Sequence, residues 1–131
     1  MNTKLNQILA EISAGELLDK ITILEIKMEK ITDSEKLKDI NKELSSLTKT
    51  SDEKIPDKKR IEDLVSNLKK INLKLWNIEE NKRKAEKEKK FDETFIQLSR
   101  DVYKSNDERA KIKLKINEIL GSNIKEVKSH Y

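Results

Sequence analysis

Apolar residues recur at intervals of three or four positions along most of this chain, and this is the spacing of one face of an α-helix. The 131 residues include only 2 glycines and 1 proline, so long stretches lack any residue that would break a helix. Charged residues make up 41% of the chain, which favours long solvated helices over sheets. We therefore expect an all-α fold with little or no strand.

Helix boundaries follow from residues that begin or end helices. Ser13 and Glu16 have the form of a capping box, Asp92 stands where an N-cap would, and Gly121 has the usual position of a C-terminal stop. We predict helices at about 14–31, 34–49, 58–90 and 92–120, with a loop at 50–57. We expect a single domain over residues 1–131, an antiparallel four-helix bundle whose third and fourth helices form a long hairpin.

Composition narrows the classes of function. The net charge is +4, but 29 basic and 25 acidic residues are mixed along the chain, which is a weak sign of an anionic partner. The chain has no cysteine, which excludes disulfides and thiolate ligands, and its single histidine is His130. No stretch approaches the roughly 20 apolar residues of a membrane span, and the start lacks the features of a signal peptide. We expect a cytoplasmic protein without a metal or cofactor.

Polar residues interrupt the apolar faces of three helices. Asn106 and Arg109 stand where the fourth helix calls for apolar residues. If the hairpin turns near residue 91, Trp76 lies level with Asn106, and Glu79 lies level with Tyr103. A buried charge is costly unless it is paired, so the cluster is either an internal ion-pair network or the lining of a polar pocket. The candidate ligand-binding residues are Asp19, Lys20, Glu25, Trp76, Glu79, Arg83, Tyr103, Asn106, Arg109 and Lys113.

Three segments resemble a known family. They are "GELLDKITILEIKMEKI", "LWNIEENKRKAEKEKKFDETFIQLSRDVY" and "NDERAKIKLKINEI", and together they carry the patterns GEL-x-DK-x-TILEIK, LW-x-IE and ND-x-RA. Over roughly residues 12–128 the chain is similar to an uncharacterised family of small bacterial proteins, a domain of unknown function. The resemblance implies a compact helical protein and suggests an association with surface-polysaccharide genes. It brings no established activity and no catalytic residues.

Three classes of function stay open. We expect a small binding or accessory protein with a charged interhelical site, linked to surface-polysaccharide assembly, whose partner is an anionic small molecule or a protein. An enzyme acting on an anionic small molecule is the alternative, although the carboxylates do not reproduce the magnesium pattern of helical pyrophosphohydrolases. A weak nucleic-acid binder is the second alternative. The run "NKRKAEKEKK" is the segment of the chain that could contact nucleic acid. It contains glutamates and no aromatic residue, so we do not expect nucleic acid as the main partner.

Overall fold

The computed structural model describes residues 4–130, and most of these residues are helical. The elements are α1 (Ala14–Lys30), α2 (Ser34–Lys54), a 3₁₀ turn (Lys59–Ile61), α3 (Glu62–Glu88) and α4 (Glu93–Leu120). The described residues contain no strand. The predicted all-α bundle is confirmed, and α3 and α4 pack along each other as the predicted hairpin.

Local sequence explains where three of the four helices begin. Ser13, Asp33 and Asp92 each cap a helix, because their side chains accept hydrogen bonds from backbone N–H groups of the first turn. The helices of the hairpin both end in a left-handed residue, Lys89 at φ 52° and Gly121 at φ 64°. Such residues let the last carbonyl groups of a helix find hydrogen-bond donors.

The second helix is longer than predicted. Helix α2 continues to Lys54, so residues 50–54 of the predicted loop are helical and the connection to the 3₁₀ turn spans only residues 55–58. Ser51 and Ile55 are buried, and their packing outweighs the weak helix propensity of the surrounding Thr, Ser and Asp residues. Pro56 acts only on the residue before it, Ile55, which is the C-cap.

The other boundaries differ by smaller amounts. Helix α3 begins at Glu62 rather than near 58, because residues 59–61 form the 3₁₀ turn, and it ends at Glu88 rather than 90. Before α1, residues 4–13 have no regular structure, and Leu5, Ile8 and Leu9 are almost fully exposed there.

Helix α1 lies at the centre of the packing. It contacts α2, α3 and α4, whereas α2 packs against no other helix of the described residues than α1. Helix α1 starts against α4, where Gly15 meets Lys113, and ends beside α3, where Glu29 pairs with Lys69. It therefore crosses one face of the hairpin obliquely. The buried core that α1 shares with the rest of the bundle consists of Leu17, Leu18, Ile55, Ile61, Leu68, Ile71 and Ile116.

Candidate functional site

The candidate site is built around Asp19, whose side chain lies fully buried between α1 and the hairpin. Its Oδ1 accepts hydrogen bonds from Asn72 Nδ2 at 2.8 Å and from Arg109 Nε at 2.9 Å. Its Oδ2 accepts a further bond from the terminal guanidinium nitrogen of Arg109. This two-point pairing is the strong form of an arginine–carboxylate interaction, and it joins α1, α3 and α4 through one buried charge.

Thr22 and Asn72 complete the buried part of this arrangement. The Thr22 hydroxyl donates to the backbone carbonyl of Asp19 at 2.8 Å and accepts a bond from Asn72 Nδ2 at 2.9 Å. Both side chains are almost fully buried. Their hydrogen bonds satisfy polar groups that would otherwise be costly to bury. The bonds also hold the Asp19 carboxylate in one orientation.

Arg109 links this buried pair to solvent. The hydrogen bond to Asp19 raises the pKa of Arg109 above its ordinary value, and burial opposes this effect. The Arg109 side chain keeps 29% of its surface exposed, and it lines an open pocket of about 320 Å³ between α1, α3 and α4. The pocket is also lined by Ile23, Ile26, Asn72, Leu75, Trp76, Glu79, Val102 and Asn106.

Lys113 extends the charged network along α4. Its ammonium group pairs with Glu16, and it lies 4.0 Å from Asp19 Oδ2 and 3.8 Å from Glu126 Oε1. The Lys113 side chain is only 15% exposed, so these pairs are less screened than surface ion pairs. The network therefore reaches from the pocket to the beginning of α1.

Glu126 connects the C-terminal segment to this network. One of its carboxylate oxygens accepts a hydrogen bond from the Ser13 hydroxyl, and the other accepts one from Asn117 Nδ2 at 3.1 Å. Burial acts to raise the pKa of Glu126, but the bonds from Ser13 and Asn117 and the charge of Lys113 lower it below its ordinary value of 4.5. The N-cap of α1 is thus tied to a residue more than one hundred positions away.

A glycine allows α1 to approach α4 at this point. A Cβ atom on Gly15 would lie 2.5 Å from the backbone carbonyl oxygen of Lys113 and 2.9 Å from Asn117 Oδ1. The Gly15 N–H uses the same closeness to donate to Asn117 Oδ1 at 2.6 Å. The glycine of the "GEL" segment therefore sets the distance between the helices that carry Asp19 and Arg109.

The structure brings six of the ten predicted site residues together. Asp19, Arg109 and Lys113 belong to the ion-pair network, and Trp76, Glu79 and Asn106 line the pocket beside Arg109. Trp76 and Asn106 face the same pocket, as expected from their level in the hairpin. Among the charged side chains of the ion-pair network, Arg109 lines this pocket, whereas Asp19 and Lys113 do not.

The other four predicted residues lie outside the pocket. Lys20 is exposed and pairs with Glu16 at 3.6 Å, and the half-buried Glu25 lies near Lys69, whose pKa its charge helps to raise. Arg83 is largely exposed and pairs at 2.9 Å with Glu79, since residues four apart share a helix face. Tyr103 is 54% exposed, because it follows Val102 by one position and so points about 100° away from it.

Four residues that contribute to the buried network were not among the sequence-based candidates. Asn72 and Asn117 are buried amides within apolar stripes, and a polar residue at such a position is a signal for a buried hydrogen bond. Glu16 was interpreted only as part of a capping box. Glu126 follows the last helix, and nothing in its local sequence indicates a contact with Ser13.

The pocket beside Arg109 is lined by charged, polar and apolar groups. Arg109 supplies a fixed cation, Asn106 an amide and Trp76 a flat apolar face. Among residues 4–130, no group of three or more His, Asp or Glu side chains comes together in a way that could hold a metal ion. Nor does any helix in this range have the length and apolar character needed to cross a membrane.

Comparison with known proteins identifies a family whose function is unknown. No curated protein and no solved structure matches the chain. A family model matches residues 8–131, nearly the whole sequence, and it describes a family of unknown function. The resemblance to an uncharacterised family is thereby confirmed, and the chain belongs to the family of unknown function DUF6165.

Proposed function

We propose that this protein is a binding or accessory protein that holds a small anionic ligand in the pocket beside Arg109. One observation carries the proposal: Arg109 is fixed by two hydrogen bonds to the buried Asp19, yet part of its side chain faces the open pocket. A guanidinium that is already ordered loses little conformational entropy when it binds an anion.

The rest of the pocket indicates the kind of ligand. Trp76 lies in the wall, and its Nε1 donates to Glu80 Oε1 at 3.0 Å, which limits rotation of the indole ring. A volume of about 320 Å³ is at the small end of the usual range for ligand pockets. We therefore expect a small molecule with one anionic group for Arg109 and a flat or apolar part for Trp76.

Several finer expectations stay predictions. These are the bacterial origin, the cytoplasmic location and the link to surface-polysaccharide assembly. Sugar phosphates would fit both a role in surface-polysaccharide assembly and the chemistry of the pocket, so they belong in any panel of ligands.

Intrinsic fluorescence tests the proposal directly, because Trp76 is the only tryptophan in the chain. The protein is titrated with inorganic phosphate, sugar phosphates, nucleoside diphosphates and dicarboxylates. We expect a saturable change with at least one of them. The variant Arg109→Lys keeps the charge but loses the planar fork, and it should weaken binding by about tenfold.

The matched control is Arg100→Lys, the same change at an exposed position of α4. It should leave the titration unchanged, and circular dichroism should show that both variants remain helical. The proposal fails if no ligand of the panel gives a saturable response, or if Arg109→Lys and Arg100→Lys bind equally well.

A further inference from the structure

The α3–α4 hairpin has a second face, opposite α1, that no helix of the described chain covers. A groove of about 590 Å³ runs along this face. Its floor is apolar and includes Leu64, Ile71 and Ile112. Its rim carries Lys70 and Lys74 on α3 and Lys111 and Lys115 on α4, against one acidic lining residue, Glu108.

The spacing of these lysines produces two facing rows of positive charge. Within each helix the two lysines are four residues apart, so both point to the same side. Lys70, Lys74 and Lys115 form no ion pair with any residue between 4 and 130, in contrast to Lys69, which pairs with Glu29 at 3.0 Å. Positive charge of this kind around an apolar floor favours an acidic, amphipathic partner.

The other face of the hairpin shows how it binds a helix. Leu17 and Leu18 of α1 enter the common core with residues of α3 and α4. The carboxylates of α1 then pair with cations of the hairpin, as in Glu16 with Lys113 and Glu29 with Lys69. The groove on the opposite face offers the same two elements, an apolar floor and cations on both helices.

We propose that this groove binds an acidic amphipathic helix of a partner protein. Apolar side chains of that helix pack on Leu64, Ile71 and Ile112. Its carboxylates pair with Lys70 and Lys74 on α3 and with Lys115 on α4. Leu64 and Ile71 are seven residues apart, about 10 Å along α3, which matches two turns of a helix. No aromatic residue lines the groove in the described part of the chain, so it lacks the stacking surface that single-stranded nucleic acid uses.

Fluorescence anisotropy tests this proposal with the unlabelled, full-length protein. The probe is a dye-labelled synthetic helix with leucines on one face and glutamates beside them. The first control is the same peptide with glutamine in place of glutamate, and the second is a labelled oligothymidylate. We expect saturable binding of the glutamate peptide that weakens as salt is added, and much weaker binding of both controls.

A pair of charge-reversed variants locates the site. The double variant Lys70→Glu/Lys74→Glu should weaken peptide binding by about tenfold or more. The control Lys42→Glu/Lys49→Glu makes the same change to the net charge at exposed positions of α2, and it should bind like the wild type. Equal weakening in both variants would mean that only the overall charge matters, and would overturn the proposal.

A single label provides an independent measurement, because the chain has no cysteine of its own. An environment-sensitive dye on Asn67→Cys, inside the groove, should respond to the peptide, and the same dye on Asn41→Cys of α2 should not. The proposal is also wrong if the glutamate peptide does not bind saturably. Binding of the oligothymidylate alone, lost in Lys70→Glu/Lys74→Glu, would identify a nucleic-acid surface instead.

Discussion

At the scale of single residues, the charges that interrupt the apolar stripe of α1 have two different roles. Asp19 is fully buried and shared by Asn72 and Arg109, so it holds three helices together. Lys20, the next residue, is exposed and forms an ordinary surface ion pair with Glu16. Exposed pairs of this kind contribute about 0.5 kcal/mol, whereas the loss of one partner from a buried pair costs several times more.

The Asp19–Arg109 pair leads to a prediction about stability. Arg109→Ala leaves the buried carboxylate with Asn72 and with Lys113 at 4.0 Å, and should lower the free energy of unfolding by about 3 kcal/mol. Urea denaturation at neutral pH measures this loss. The exposed control, Arg100→Ala, should change it by less than about 0.5 kcal/mol.

A double variant separates the lost pairing from other effects of the substitution. Because Asp19→Asn removes the charge that Arg109→Ala leaves unpaired, combining the two should recover part of the lost stability. If the double variant is less stable than Arg109→Ala by the full cost of Asp19→Asn alone, the two side chains do not interact.

The lowered pKa of Glu126 predicts that the stability of the protein depends on pH. Because the pKa of its carboxyl is lower in the folded protein than the ordinary 4.5, its stabilising effect is present above pH 4.5 and is lost as the pH falls through the folded value. We expect Glu126→Gln to be less stable than the wild type at neutral pH, with a difference that shrinks in acid. Urea midpoints of both proteins between about pH 3 and pH 7 measure this. A difference that stays constant over this range would contradict the proposed pairing.

At the scale of helices, the position of α1 on the hairpin depends on the close approach at Gly15. Alanine is normally the better helix former by about 1 kcal/mol. Here the added Cβ would meet the Lys113 carbonyl oxygen at 2.5 Å, and a backbone atom within α4 cannot move away by itself. The steric cost therefore exceeds the gain in helix propensity.

We predict that Gly15→Ala destabilises the protein by about 1 to 3 kcal/mol, as overpacking does in other cores. The comparison is Gly121→Ala, where no atom lies within 4 Å of the added Cβ and only the left-handed backbone at φ 64° opposes the change. That variant should lose about 1 kcal/mol. Thermal denaturation of both variants measures the difference, and a Gly15→Ala protein as stable as the wild type would show that α1 can shift on α4.

At the scale of the whole molecule, stability is concentrated in the hairpin and α1. Helix α3 has four buried residues, Leu68, Ile71, Asn72 and Ile78. Helix α2 has one, Ser51, which lies near the C-terminal end of α2. Helix α2 also packs against one neighbour, whereas α1 packs against three. Segments with few buried contacts open more readily than the rest of a fold.

Hydrogen exchange should reveal this distribution. We expect backbone amides of residues 38–48 in α2 to exchange faster than those of residues 66–78 in α3, because α2 has fewer buried residues and one neighbouring helix. Mass spectrometry of peptides from both regions measures the rates. Equal protection of the two regions would show that the bundle opens only as one unit.

Much of the fold and part of the site could be predicted from the sequence. Helix starts at Ser13, Asp33 and Asp92 depend on hydrogen bonds that span only a few residues, so the capping residues are sufficient to locate them. The interruption of the apolar stripe of α4 at Arg109 likewise shows in the sequence, because a buried charge needs a partner. The resemblance to an uncharacterised family could also be recognised in the sequence, and the family match over residues 8–131 confirms it.

Other features depend on residues that are far apart in the chain. The end of α2 at Lys54 follows from the burial of Ser51 and Ile55, and the tie between Ser13 and Glu126 joins opposite ends of the described chain. Periodicity, capping residues and the cost of desolvation were therefore enough to predict, from sequence alone, the helical class, the capped helix starts and a polar cluster around Arg109 that is either an ion-pair network or the lining of a pocket. Which carboxylate pairs with Arg109, and which face of the hairpin no helix covers, depend instead on how α1 packs across α3 and α4, because these contacts join residues that are far apart in the chain.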